Sequence, residues 1–330
     1  MKSSRSISIK PLLVGLITAP VLAVPSVTNA QDFPLREVRI VVPQAPGGAS
    51  DAMARLMANK LAERWRQPVV VENKAGANGN IGTTEVAKSA PDGHTLLFTY
   101  AGSHVTSPAL YSNLAWNPIR DFVAVSPVAQ LPFVAVVHKG LKVENLESFI
   151  ALAKTEDGRL NSASPGSGSL NHLLSELFNK ATGTKTTHVP YTGISQALID
   201  LIAERVDITF SSVPSVVSHV RSGALQPLAV TSTDRSELLP DVPTFSELGL
   251  PELAASPWFG VLAPRGTPQP VLDQLNRDIH AVVQSEEMQT QLRSIGATAK
   301  TSAADDFQSL IEDDLQKWGQ IVSESNISVQ

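Results

Sequence analysis

The sequence predicts an α/β protein of two lobes, each a mainly parallel sheet flanked by helices. Three observations carry this. Short apolar, β-branched runs alternate with segments of helical period along the chain, the pattern of strands joined by crossover helices. The chain has 330 residues, more than one core usually holds. A strand, a Gly/Ser/Pro-rich loop and a helix follow one another over residues 40–51 and again over 161–172, so each sheet could carry the same device at its C-terminal edge.

The elements follow in order. Residues 38–42 (VRIVV) read as a buried strand. A helix over 51–66 places Met53, Leu56, Met57, Leu61 and Trp65 on one face at three- and four-residue steps. Residues 68–71 form the next strand, followed by a Gly/Asn-rich loop over 73–80 and a short helix through Ala87. Pro91-Asp92-Gly93 is a turn, because Pro presets φ and Gly tolerates positive φ. Strands are expected at 95–100, 133–137, ending near 163, and at 188–191, 207–210, 225–230 and 259–262. Helices are expected at 146–154, 170–180, 196–204, 213–221, 270–283, 287–295 and 303–323.

Composition narrows the function. Charged residues are 17% and the formal net charge is −5. Without a basic stripe the chain is a poor partner for nucleic acid, since phosphate neutralisation needs clustered Lys and Arg. With no cysteine, disulfides, thiolate catalysis, Cys-ligated zinc and a lipid-modified Cys anchor are excluded. Lys2, Arg5 and Lys10 precede an apolar stretch over 11–24 that is short for a bilayer and broken by Pro20 and Pro25. Thr28-Asn29-Ala30 then supplies small residues for a cut before Gln31. A cleaved signal peptide over 1–30 is therefore expected, with an exported, soluble mature chain.

Two loops could carry chemistry. Pro43-Gln44-Ala45-Pro46-Gly47-Gly48-Ala49-Ser50-Asp51 leads into a helix whose first N–H groups lack partners, and its glycines allow close backbone approach to a ligand. Such a terminus binds carboxylate or phosphate without Lys or Arg. Ser50 or Asp51 could cap the helix. On pattern alone, an ordinary capped connection fits better. The ending of a Walker loop is missing. The second loop, Ser164-Pro165-Gly166-Ser167-Gly168-Ser169, has His172 one turn further on, where a hydrogen bond to ligand and plain packing both remain open. Val189-Pro190-Tyr191-Thr192-Gly193 and Phe210-Ser211-Ser212 could add hydroxyls at sheet edges. The glycines at 76, 79 and 82 lack dinucleotide-binding spacing. No paired metal spacing among seven histidines and no GxSxG elbow appear.

Laid out this way, the chain resembles the Bug family, the periplasmic binding proteins of tripartite tricarboxylate transporters. The resemblance runs through Arg39-Ile-Val-Val-Pro43, Pro46-Gly-Gly48, Asp51, Gln67-Pro-Val-Val-Val-Glu-Asn73, Gly76, Gly79-Asn-Ile-Gly82 and Ala90-Pro-Asp-Gly93. It continues through Asp121-Phe122, Val189-Pro-Tyr191, Asp207, Pro243-Thr-Phe245, Trp258, Ala263-Pro264, Gly266-Thr-Pro268, Leu275-Asn276 and Trp318, covering residues 33–327. It implies a two-lobed periplasmic binding protein fold (type II-like) whose lobes, joined by crossing strands, close on a ligand. Lobe one would be discontinuous, residues 31–131 plus 255–330, and lobe two residues 132–254. It also implies that the loops over 44–51 and 164–169 grip a carboxylate. Three positions depart from the family's habit: Gln44 replaces Phe, Thr192 replaces Lys, and His94 replaces Tyr.

The expected function is capture of a small mono- or dicarboxylate, aliphatic or aromatic, and delivery to a tripartite transporter. The chain is read as a monomer without cofactor, metal or catalytic residue. An α/β hydrolase using Ser169 and a ligand-dependent sensor partner are the alternatives. The candidate ligand-binding residues are Gln44, Ala45, Gly47, Gly48, Ser50, Asp51, Tyr100, Ser103, Ser164, Gly166, Ser167, Ser169, His172, Tyr191, Thr192, Ser211 and Ser212.

Overall fold

The computed structural model describes residues 33–255 and 257–324. The expected signal peptide lies outside the described residues. Among these, no helix is long and apolar enough to cross a membrane.

The strands form two sheets. The first contains β1 (Val38–Val42), β2 (Val69–Asn73), β3 (Thr95–Tyr100), β4 (Phe122–Gln130), β10 (Trp258–Pro264) and β11 (Thr298–Ala299), in the order β11-β4-β10-β3-β1-β2. The second contains β5 (Phe133–His138), β6 (Asn161–Ser164), β7 (Thr187–Pro190), β8 (Ile208–Ser212) and β9 (Leu225–Val230), in the order β7-β6-β8-β5-β9. The two-lobed α/β architecture is present, but the sheets are mixed rather than mainly parallel. Pairs β1–β2, β1–β3, β6–β7 and β6–β8 are parallel, while β10 runs antiparallel to β3 and β4, and β5 to β8 and β9. The reversal follows from the crossings between sheets, where β4 and β5 are separated by only Leu131 and Pro132.

Helices α1 (Ala49–Trp65), α3 (Ala101–His104), α6 (Leu170–Thr182), α7 (Ile194–Ile202) and α8 (Val213–Arg221) follow β1, β3, β6, β7 and β8. Their N-termini therefore lie at the carboxyl ends of parallel strands, where open α/β sheets place their binding crevices. The remaining helices are α2 (Asn80–Ala87), α4 (Ser107–Leu110), α5 (Leu146–Glu156), α9 (Gln269–Val283), α10 (Glu286–Ser294) and α11 (Ala304–Glu324).

Strand β1 is buried along almost its whole length, as a strand covered on both faces must be. The face of α1 that packs inward includes Met53, Met57 and Leu61, while Leu56 and Trp65 are only half-buried. Trp65 Nε1 and Arg64 Nε donate to Asp278 at 2.7 and 2.6 Å, tying α1 to α9. Pro91-Asp92-Gly93 turns as expected: Gly93 has φ +84° and Asp92 Oδ1 accepts the His94 N–H at 2.9 Å.

Helix α11 packs on β4 and α4 of the first sheet and on α6 of the second, where Lys180 pairs with Glu324. At the crossings, Phe133 and Thr231 exchange hydrogen bonds, Leu131 N donates to the Pro257 carbonyl at 3.1 Å, and Ala255 N to the Thr231 carbonyl at 2.9 Å. Two paired chain segments thus join the lobes.

Gly260 in β10 has a packing reason. A Cβ there would lie 2.4 Å from the ring of Phe307, which is fully buried and set edge-on to Trp258 at 4.9 Å. Gly260→Ala should destabilise the fold by about 2 kcal/mol, because the wedged ring has no room to yield. Urea unfolding checks this; an unchanged midpoint would show that α11 is loosely seated.

Candidate functional site

The loop between β1 and α1 is fastened from behind. Asp51 is buried and its Oδ2 accepts the Gly47 N–H at 2.9 Å, while Oδ1 pairs with Arg55 Nε at 2.9 Å. Arg55 donates to Asn73 Oδ1 at 2.9 Å, and Asn73 Nδ2 donates to the Gln44 carbonyl at 3.2 Å. Burial pushes the Asp51 carboxyl up, but the Gly47 N–H, Arg55 and Asn73 outweigh it and hold it below its ordinary value.

Neither Ser50 nor Asp51 caps α1. The helix starts two residues earlier than the sequence suggests, its N-cap is Gly48, and no side chain accepts there. The side chain that could have capped it is spent on Gly47. Ala52 N donates to the Gly48 carbonyl, so within the described residues the N–H groups of Ala49, Ser50 and Asp51 are left for an outside acceptor. Ala45, Gly47 and Gly48 are exposed around them. Gly47 has φ +83°, whereas a Cβ on Gly48 would meet nothing closer than 3.8 Å.

Gln44 joins this loop to α3, just beyond β3. Its Nε2 donates to Ser103 Oγ at 3.1 Å, and Ser103 Oγ lies 3.2 Å from Thr99 Oγ1. Gln44 Oε1 is buried without a hydrogen-bond partner. Tyr100 stacks on Phe259 with centroids 5.6 Å apart, and burial raises its hydroxyl to about 12, so it stays neutral.

The lobe-two loop is organised internally. Ser169 is the N-cap of α6, accepting the His172 N–H, and its own hydroxyl donates to the Gly166 carbonyl at 2.7 Å. Ser164 is fully buried; its Oγ lies 2.9 Å from the Gly166 carbonyl, accepts the Gly166 N–H at 3.1 Å, and meets His188 Nε2 at 2.7 Å. His172 Nδ1 accepts the Gly168 N–H at 3.1 Å. Ser167 is exposed. His172 thus stands behind the loop, and no histidine activates Ser169. Ser164 contacts a histidine but is closed to any substrate.

Three further candidate hydroxyls are engaged and a fourth is not. Tyr191 donates to Asp200 Oδ2 at 2.8 Å, Thr192 to Gln196 Oε1 at 2.6 Å, and Ser212 pairs with Ser215 at 2.7 Å. Ser211 is fully buried and its Oγ has no partner.

No hydrogen bond joins the two loops among the described residues. A cavity of about 180 Å³ lies between the lobes. It is lined by Ala101, next to Tyr100, by Leu170, next to Ser169, and by Thr231, Ala255 and Trp318 near the crossings. No candidate residue itself lines this cavity, nor the larger hollows of about 360 and 590 Å³ near Arg235 and Arg265. Arg55, Asn73, Thr99 and His188 are supporting residues that the sequence does not single out. Only Arg55, at i+4 from Asp51, carries a local signal.

Residues 53–327 match the family described as tripartite tricarboxylate transporter family receptor. Protein BugT of Bordetella pertussis is 39% identical over 303 residues, 92% of this chain and 93% of that protein. A structure from R. palustris with adipate aligns at TM-score 0.79 and 34% identity, covering 90% of this chain and all of that one. MatC from Rhodopseudomonas palustris with bound malate aligns at TM-score 0.75 and 32% identity, covering 88% of this chain and all of that one.

Asp51→Ala should cost about 1–2 kcal/mol at pH 7, through loss of the charge-assisted bonds from the Gly47 N–H and Arg55 to the carboxylate. Because the folded carboxyl is lowered from its ordinary 3.8, its contribution is present above that value and lost as pH falls through the folded one. Denaturant unfolding at pH 7 and pH 3 should therefore show a gap between wild type and variant that narrows in acid. A gap independent of pH would contradict this account of the loop.

Proposed function

This chain belongs to the tripartite tricarboxylate transporter receptor family, whose members are binding receptors rather than enzymes, and on that premise we propose that it captures a small carboxylate between its lobes. The anion is a mono- or dicarboxylate, aliphatic or aromatic, taken up in the periplasm after export and handed to the membrane components of a tripartite transporter. Residues 31–131 with 255–330 form one jaw and residues 132–254 the other.

The observation that carries this reading is the uncapped start of α1. Its first-turn N–H groups need an acceptor, the surrounding loop is exposed, and no Lys or Arg lies within residues 43–51 or 164–169. A carboxylate is satisfied by N–H donors and a helix dipole alone. The exposed Ser167 and the first turn of α6 are the matching donors in the second jaw. The buried, unpartnered oxygens of Gln44 and Ser211 mark groups that a ligand or ordered water can complete. Gln44 stands beside the anion loop, suited to reading the distal end of a ligand. The adipate and malate of the related R. palustris structures suit such a crevice.

Calorimetry over adipate, malate, aromatic carboxylates and amino acids tests this directly; no heat from any of them contradicts it. Gly48→Val should weaken binding at least about tenfold while the midpoint of thermal unfolding moves by no more than a few degrees. The added side chain enters open space over the N–H donors, at the ordinary φ of −86°. Equal affinity for wild type and variant removes the anion loop from the account. Gln44→Ala should reorder the panel's affinities with little change in stability; an unchanged order shows that Gln44 does not read the ligand.

A further inference from the structure

The lobe-two loop rests on two histidines. His172 Nδ1 accepts the Gly168 N–H at 3.1 Å. That bond uses the Nδ1 lone pair, so the neutral ring carries its proton on Nε2, 3.7 Å from Glu176 Oε1. His188, on β7, touches Ser164 Oγ at 2.7 Å, and the same oxygen accepts the Gly166 N–H. The two imidazoles stack with centroids 3.5 Å apart and planes within 7°. Together they fix the N–H groups of Gly166 and Gly168, whose φ values are +135° and +75°, on either side of the exposed Ser167.

We propose that His172 and His188 are positioning residues that act as a proton-sensitive clasp on this loop: with both rings neutral the loop is set to receive a carboxylate, and one proton on the pair releases it. The ligand half of this statement rests on the functional reading above, while the clasp itself concerns only this chain's own atoms.

The chemistry is direct. A proton on His172 Nδ1 turns the acceptor of the Gly168 N–H into a second donor, so the two N–H groups confront each other and the loop must shift. The new charge gives the ligand little compensating attraction, because Glu176 stands beside the same ring. A second proton is disfavoured: burial first, then the His172 charge, hold His188 down to about 4 against the pull of Glu176. The charged groups acting on His188 thus both come from α6. Strand β6, paired with β7, brings Ser162, Ala163 and Ser164 to it. The Lys180–Glu324 pair between α6 and α11 lies eight residues beyond His172, roughly 12 Å along the helix.

Two measurements on the whole mature chain test the clasp. The first, by nuclear magnetic resonance without ligand, follows the amides of Gly166 and Gly168 and the rings of His172 and His188 from pH 8 to pH 5. The Gly168 amide should titrate with the His172 ring, and His172→Asn, which keeps an acceptor near the Nδ1 position but takes up no proton, should flatten it. A Gly168 amide that stays flat, or a His172 ring that takes up no proton in this range, overturns the proposal. The second is calorimetry with adipate as the probe, read as the ratio of wild-type to variant Kd, which cancels adipate's own ionisation. Between pH 7.5 and 5.5 wild type should weaken roughly tenfold relative to His172→Asn, the worth of one hydrogen bond, and His188→Gln should shrink that dependence. A ratio constant with pH overturns the clasp. If neither adipate nor any other carboxylate binds at any pH, the functional reading fails and the amide titration alone decides the clasp.

Discussion

Helix α1 begins without a side-chain cap, and its first-turn N–H groups are left for a partner outside the chain. Backbone donors in that position need water or an anion. The surrounding network keeps them available. Asp51, the residue best placed to satisfy one of them, is instead turned back onto Gly47 and anchored by Arg55, which leads through Asn73 to the Gln44 carbonyl. The loop is therefore rigid on its inner side and open on its outer side. Gln44 extends the same logic to α3, which follows β3, by binding Ser103.

The second lobe solves a similar problem differently. There Ser169 caps α6, and the glycine N–H groups of the loop are held by Ser164 and His172. One lobe carries an uncapped helix terminus and the other a loop held in shape by its own side chains. The lobes are joined by the β4–β5 crossing and by the return segment that pairs with it through Thr231 and Ala255, with α11 packed against β4 on one side and α6 on the other. In the proposed function, a ligand that contacts both lobes at once gives the closed form its differential affinity.

Much of this is legible in the sequence where a residue's role depends on its neighbours. Strands β3 and β9 have the bounds their apolar runs suggest, and Gly93 turns where Pro91-Asp92-Gly93 says it must. Strand β4 is not legible, because Pro127 reads as a breaker; it is tolerated at a register shift against Gly260 in β10. The short β11 and the single-turn helices α3 and α4 carry too few residues for a period. The two loops are visible as Gly- and Ser-rich strand exits, but the division of labour within them is not. Whether Asp51 caps a helix or locks a glycine, and whether His172 meets ligand or loop, depends on bond directions that composition does not encode. The partners of Gln44 and His172, Ser103 and His188, are likewise far away in the chain.

The central claim is that backbone donors from both lobes grip one carboxylate. Amide hydrogen exchange, compared with and without the tightest-binding acid of the carboxylate panel, tests it most directly. The account predicts that saturation slows exchange at residues 48–51 and at residues 167–171 together. Protection confined to one of these segments, or found only elsewhere in the chain, would contradict it.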